Sequence, residues 1–133
     1  MNKSDQDILN YTNQLSKNLL PSYVRFCAFR NRGILYFYKK SYQRAIVDFT
    51  SAIELSERKR ISFNKTGVEL KKLKAKVYFF RGIAFIKMQN LDEGINNLEK
   101  SLKLYSKIIE ENKFELNILS PEIKGLLSSF FEI

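Results

Sequence analysis

Histidine is absent from this 133-residue chain, and cysteine occurs once, at Cys27. The first absence removes the commonest general acid–base and the commonest metal ligand, together with every Ser-His or Cys-His nucleophile pair. With one thiol and no imidazole, a zinc site is excluded and no internal disulfide can form. Proline occurs twice and glycine five times. Such sparse turn punctuation favours helices over a many-stranded β fold. There is no run of about 18 apolar residues, so no helix is expected to span a membrane. The opening MNKSDQDILNYTNQLSKNLL has acids and amides where a secretory leader has a basic start and an apolar stretch. A cytoplasmic protein is therefore expected, in agreement with a lone cysteine kept reduced. No P-loop, Gly-rich strand–turn–helix or nucleophile elbow occurs. The carboxylate pairs Asp92–Glu93 and Glu110–Glu111 fall where helix ends and solvated faces are common. The expectation is a protein that is not an enzyme and takes no metal and no cofactor.

What the chain does have is bulk and positive charge. Eleven Phe and seven Tyr within a 44% hydrophobic composition can fill one core, so residues 1–133 form a single domain. The net charge of +9 is uneven. Residues 21–90 hold 16 Lys or Arg against 4 Asp or Glu, whereas residues 91–133 hold 5 against 8.

Two segments repeat one another. In FRNRGILYFYKKSYQRAIVDFTSAIEL (29–55) and YFFRGIAFIKMQNLDEGINNLEKSLKL (78–104), an aromatic precedes Arg-Gly, and a second aromatic stands three residues after the Gly. These are Phe29, Gly33 and Tyr36, then Tyr78, Gly82 and Phe85. A small residue follows twelve positions after each Gly (Ala45 or Gly94), then a large one (Phe49 or Leu98), then a small one (Ala52 or Ser101). Spacing of this kind lets two helices pack closely, the glycines facing the small residues, and leaves an apolar face that a neighbouring unit must cover.

The pattern resembles the tetratricopeptide repeat family over roughly 26–59 and 75–108. It implies an all-α fold of helical-hairpin repeats, an α-solenoid fragment of about six helices with capping helices at both ends. The expected divisions are an N-terminal capping helix (1–21), a first repeat (22–60), an extended inter-repeat hairpin (61–74), a second repeat (75–110) and a C-terminal capping helix (111–133). The family's closing proline is replaced by Glu57 and Ser106. Gly33 and Gly82 are 49 residues apart, against a family period of 34. The surplus is read as helix extensions around a loop at Phe63–Thr66, with the first repeat's second helix continuing to about Arg60. Thr66 and Glu69 have capping-box spacing, so the next helix starts near Gly67 and runs to about Gln89. At the ends, Ser4 with Asp7 resembles a cap, and Ile8, Tyr11, Leu15 and Leu19 form a stripe before Pro21. Ser120-Pro121 begins a last helix with Ile123, Leu126, Leu127 and Phe130 on one face.

Function follows from the same resemblance. In the family the first helix of each hairpin lines a concave groove for a peptide or helix. Its positions here are Cys27, Arg30, Ile34, Phe37 and Tyr38 in one copy, and Lys76, Phe79, Ile83, Ile86 and Lys87 in the other. Cys27 itself reads as a small buried hydrophobe. An apolar floor with basic edges suits a protein segment carrying apolar anchors beside acidic residues. The family's clamp for chaperone-tail carboxylates is excluded, because it needs asparagines where Ile34 and Phe80 stand, and a third repeat. Alternatively, the groove is filled by a terminal helix, or the chain self-associates through the C-terminal helix, where Phe130, Phe131 and Ile133 lie. A second surface is the basic patch Arg58, Lys59, Arg60, Lys65, Lys71, Lys72 and Lys74, continued by Lys76. It is a solvated hairpin or, as the alternative function, the contact of a nucleic-acid-associated factor.

Overall fold

A computed structural model of the chain describes residues 2–17, 20–58, 67–112 and 121–122. Five α-helices follow in order: α1 (Lys3–Leu15), α2 (Ser22–Tyr38), α3 (Tyr42–Glu57), α4 (Gly67–Lys87) and α5 (Leu91–Asn112). No strand occurs among the described residues, so the fold is all-α. Helix α2 packs on α3 and α4 on α5 as two hairpins. The hairpins join through α3 against α4, and α1 lies against α2.

Each hairpin closes through the same turn. Lys40 and Gln89 take left-handed backbone angles, φ 65° and 64°. The amide of Ser41 then donates to Tyr36 O and that of Asn90 to Phe85 O, both at 2.9 Å. These bonds cap the free carbonyls at the ends of α2 and α4, in the arrangement where glycine is usual. That two non-glycine residues adopt it 49 positions apart shows that the repeat extends to backbone detail.

The small residues make the hairpins tight. A Cβ built on Gly33 would stand 2.7 Å from the Phe49 ring and 3.2 Å from Asp48 Cβ. On Gly82 it would stand 3.0 Å from the Gly94 carbonyl oxygen. Gly82 thus faces Gly94 as expected, and the two glycines have equivalent other near neighbours, Asp48 and Phe49 in the first hairpin, Asn97 and Leu98 in the second. Around these contacts Phe26, Ala45, Phe49, Ala52, Ala75 and Val77 have no exposed surface. Burying rings such as Phe26 and Phe49 stabilises the fold by about 1.5–3 kcal/mol each.

Two expectations from the sequence change. Helix α3 stops at Glu57, and Arg58 turns extended at ψ 121°, so the helix does not run on to Arg60. It ends at the position where the family places its proline, while α5 passes straight through Ser106 to Asn112. At the N-terminus the cap is Asn2, whose Oδ1 accepts from the Asp5 amide at 2.8 Å, and Ser4 lies inside the helix. The loop at 63–66, Leu19, and the apolar residues of 123–133 lie outside the described residues. Five helices are described, and Pro121 and Glu122 are also helical.

The repeat also shows a difference in exposure between its two second helices. Ile46 on α3 is 8% exposed, whereas its counterpart on α5, Ile95, is 50% exposed. Helix α3 is covered by α4; after α5 only Pro121 and Glu122 are described.

Candidate functional site

The groove positions fall on α2 and α4, the first helices of the two hairpins. Their N-terminal halves border a cleft of about 300 Å³ lined by Tyr23, Arg30, Glu69, Lys72, Leu73 and Lys76. Toward the other end the lining becomes apolar. Ile34, Phe37, Ile83 and Ile86 are half-buried against the core. The Phe37 ring meets Tyr38, Tyr42 and Phe80 edge-on at 5.4, 5.6 and 5.2 Å. Tyr38 is 61% exposed, and Lys87 is exposed in the last turn of α4. The site is therefore polarised, cationic at one end and aromatic–aliphatic at the other.

Phe79 departs from the expected role. It is 6% exposed and belongs to the core, touching Phe80 ring to edge at 5.8 Å. Its ring supports the floor of the groove and presents almost no surface to a ligand. Cys27 is half-buried beside the same core.

The basic patch is not one surface. Lys72 and Lys76 join Arg30 in the groove cleft. Lys74, about 200° around the helix from Lys72, lines a separate cleft with residues of α5. Lys71 is half-buried and has an interaction of its own. Arg58 is exposed at the end of α3, and Lys59, Arg60 and Lys65 lie outside the described residues.

A pair of guanidinium anchors escaped the sequence reading. Arg32 clamps Asp48 through two bonds, Nε to Oδ2 at 2.8 Å and the second nitrogen to Oδ1 at 2.7 Å. The positions 49 residues on repeat the arrangement with a neutral partner. Arg81 Nε donates to Asn97 Oδ1 at 2.7 Å, and its other arm reaches Thr50 Oγ1 at 3.1 Å. Asp48 and Asn97 are buried, and the Asn97 amide donates onward to Glu93 O. The signal was present in the sequence as Arg-Gly followed by Asp or Asn at sixteen residues, in both copies. These pairs lock each hairpin behind the groove. Arg32 also donates to Thr12 on α1, and Lys39 pairs with Asp5, which ties α1 to α2.

Two tyrosines report on their surroundings. Burial first, and then the charge of Glu122, raise the Tyr38 phenol above its ordinary value. Glu122 therefore acts on the aromatic end of the groove. Tyr78, 7% exposed, donates to Glu57 Oε1 at 2.9 Å. Burial, followed by that hydrogen bond, pushes its pKa from 10.0 up to about 12. The folded state thus favours the neutral phenol, and this contribution to stability is whole below pH 10 and lost as the pH rises toward about 12. Tyr78→Phe is expected to cost about 0.5–1.5 kcal/mol at neutral pH through the lost bond. The melting-temperature gap to the unsubstituted protein should then narrow across that alkaline window. A gap that stays constant would show that the phenol does not titrate with folding.

The tetratricopeptide repeat family matches residues 75–108, which cover the later part of α4 and most of α5. The first hairpin shares the turn, the glycine contact and the guanidinium anchor but lies outside the matched stretch. No curated protein and no solved structure matches the chain. No helix among the described residues is long and apolar enough to cross a membrane.

Proposed function

On the premise that residues 75–108 are a tetratricopeptide repeat, we propose that the chain is a non-enzymatic cytoplasmic adaptor holding a protein segment between α2 and α4. The observation that carries this reading is the polarity of the groove. Arg30, Lys72 and Lys76, with the single carboxylate Glu69, line the cleft at one end, and Phe37 and Tyr38 meet Phe80 of α4 edge-on at the other. A complementary segment has acidic residues at one end and large apolar side chains at the other. The apolar anchors supply most of the affinity, while the exposed cations set orientation and encounter rate.

Selection of peptides from a random display library against the whole chain tests this. The enriched peptides should combine apolar and acidic residues in a fixed order. Tyr38→Ala should weaken a selected peptide by about 2 kcal/mol if the ring is an anchor. Tyr38 is the sharper probe than Phe79, because its loss leaves the core intact. Lys72→Glu with Lys76→Glu should mainly slow association, and less so at high salt. Selected peptides whose affinity is unchanged in both variants would rule the groove out.

The effect of Glu122 on Tyr38 favours a second reading of the same site. Residues 120–133 hold apolar side chains and Glu122 and Glu132, the composition ascribed to the partner. If that segment is the groove's resident ligand, removing it should raise the affinity of the selected peptides. Unchanged affinity would leave the groove to an external partner.

A further inference from the structure

The second cleft lies on the side of α4 away from the groove. Lys74, Lys100, Lys103 and Lys107 surround it, Tyr78 and Leu104 complete its lining, and its volume is about 210 Å³. Three of the lysines come from α5 at spacings of three and four residues, so they form a row about 10 Å long on one helix face. A same-sign row of this kind destabilises a helix unless something neutralises it. Among the described residues none of the four is in an ion pair. Glu99, one turn before Lys103, is exposed and is likewise not paired with it. Among the described residues the carboxylate hydrogen-bonded to Tyr78 is that of Glu57, which accepts from the phenol at 2.9 Å and lies outside the cleft lining. Lys100 stands over the Tyr78 ring at 5.6 Å.

The chemistry of this surface selects its ligand. Protein–protein interfaces are depleted in lysine and built around apolar and aromatic anchors. Here Tyr78 is 7% exposed, and lysines dominate the lining. The planar fork of arginine matches carboxylates and phosphates alike, whereas lysine ammoniums act as point charges that make no such geometric demand and bind phosphate oxygens through charge alone. With its one ring buried and tied down, the cleft has no platform on which an unpaired base could stack. What remains is an electrostatic, sequence-independent contact, strongest toward the ligand of highest charge density. We propose that the α4–α5 cleft binds the phosphate backbone of a nucleic-acid duplex, on a surface separate from the peptide groove.

The test is fluorescence anisotropy of a labelled short duplex with the whole chain, over a series of salt concentrations. Binding should weaken linearly on logarithmic axes as salt rises, and the duplex should bind more tightly than a single strand of equal length. The triple variant Lys100→Ala, Lys103→Ala and Lys107→Ala should lose at least tenfold in affinity at low salt. Its salt slope should flatten by roughly 2–3, close to one unit for each phosphate contact removed. All three side chains are exposed, so the melting temperature should stay near that of the unsubstituted protein. Arginine at the same three positions, which conserves charge, should keep the slope, and it provides the measurement if the alanine variant folds poorly. Lys72→Ala with Lys76→Ala, on the groove side, should leave the slope within one unit. An equal loss in that groove variant would overturn the proposal, as would no binding at low salt. Competition by polyglutamate as effective as that by unlabelled duplex would overturn it too, in favour of an acidic protein partner.

Discussion

Arg32→Met is expected to destabilise the protein by about 3–5 kcal/mol, because it strands a buried carboxylate. Asp48 is 2% exposed and receives both of its strong bonds from this one guanidinium. The hydrogen bond to Asp48 outweighs the effect of burial and raises the Arg32 pKa, as a matched ion pair should. Single domains are stable by only about 5–15 kcal/mol, so the loss would be visible in any urea or thermal melt. Removing both partners should be much milder. Arg32→Met combined with Asp48→Leu is expected to recover most of the loss, since an apolar pair of similar size needs no compensating charge. The second repeat supplies the control. Arg81→Met leaves the neutral Asn97, which keeps its bond to Glu93 O, and should cost about 1–3 kcal/mol. Equal costs at Arg32 and Arg81 would mean that the charge of Asp48 is irrelevant to its burial.

Gly82→Leu is expected to cost on the order of 1–3 kcal/mol or more by overpacking the second hairpin. The first atom added already stands 3.0 Å from a backbone oxygen, that of Gly94, and 3.1 Å from Leu98 Cγ. A flexible side chain could swing aside; a helix carbonyl cannot move without separating α4 from α5. The rest of a leucine side chain then has no space. Gly82→Ala sharpens the test. In an exposed helix, alanine would stabilise by about 1 kcal/mol relative to glycine. Here it should lower the melting temperature, and an increase would show that α4 and α5 are not in close contact at this point.

Much of the architecture was legible because helical repeats write their packing into residue size at fixed intervals. Gly33 and Gly82, the small residues at Ala45 and Gly94, and the large ones at Phe49 and Leu98 specify two hairpins without reference to any distant segment. Helix α4 starts at Gly67, where the spacing of Thr66 and Glu69 placed it, while the cap itself lies outside the described residues. The end of α3 was not legible. Nothing near Glu57 breaks a helix, yet the chain turns extended at Arg58, beside the bond from Tyr78 of α4 to Glu57. A contact between residues 21 positions apart leaves no local mark in the sequence.

The candidate sites divide along the same line. The sequence pattern by itself indicated that the chain is all-α, that it carries two like hairpins of which the second matches the tetratricopeptide repeat family, and that α2 and α4 are their first helices. It also established the excess of positive charge in residues 21–90. Only the tertiary structure decided where that charge goes. A two-residue step along α4 sends Lys72 and Lys76 to the groove with Arg30, and Lys74 to the opposite cleft with the lysines of α5. Tertiary packing likewise withdrew Phe79 into the core and left Tyr38 exposed at the groove's end. The physical reason is that helical periodicity records which residues share a face of one helix, whereas exposure and charge clustering depend on which other helix that face meets.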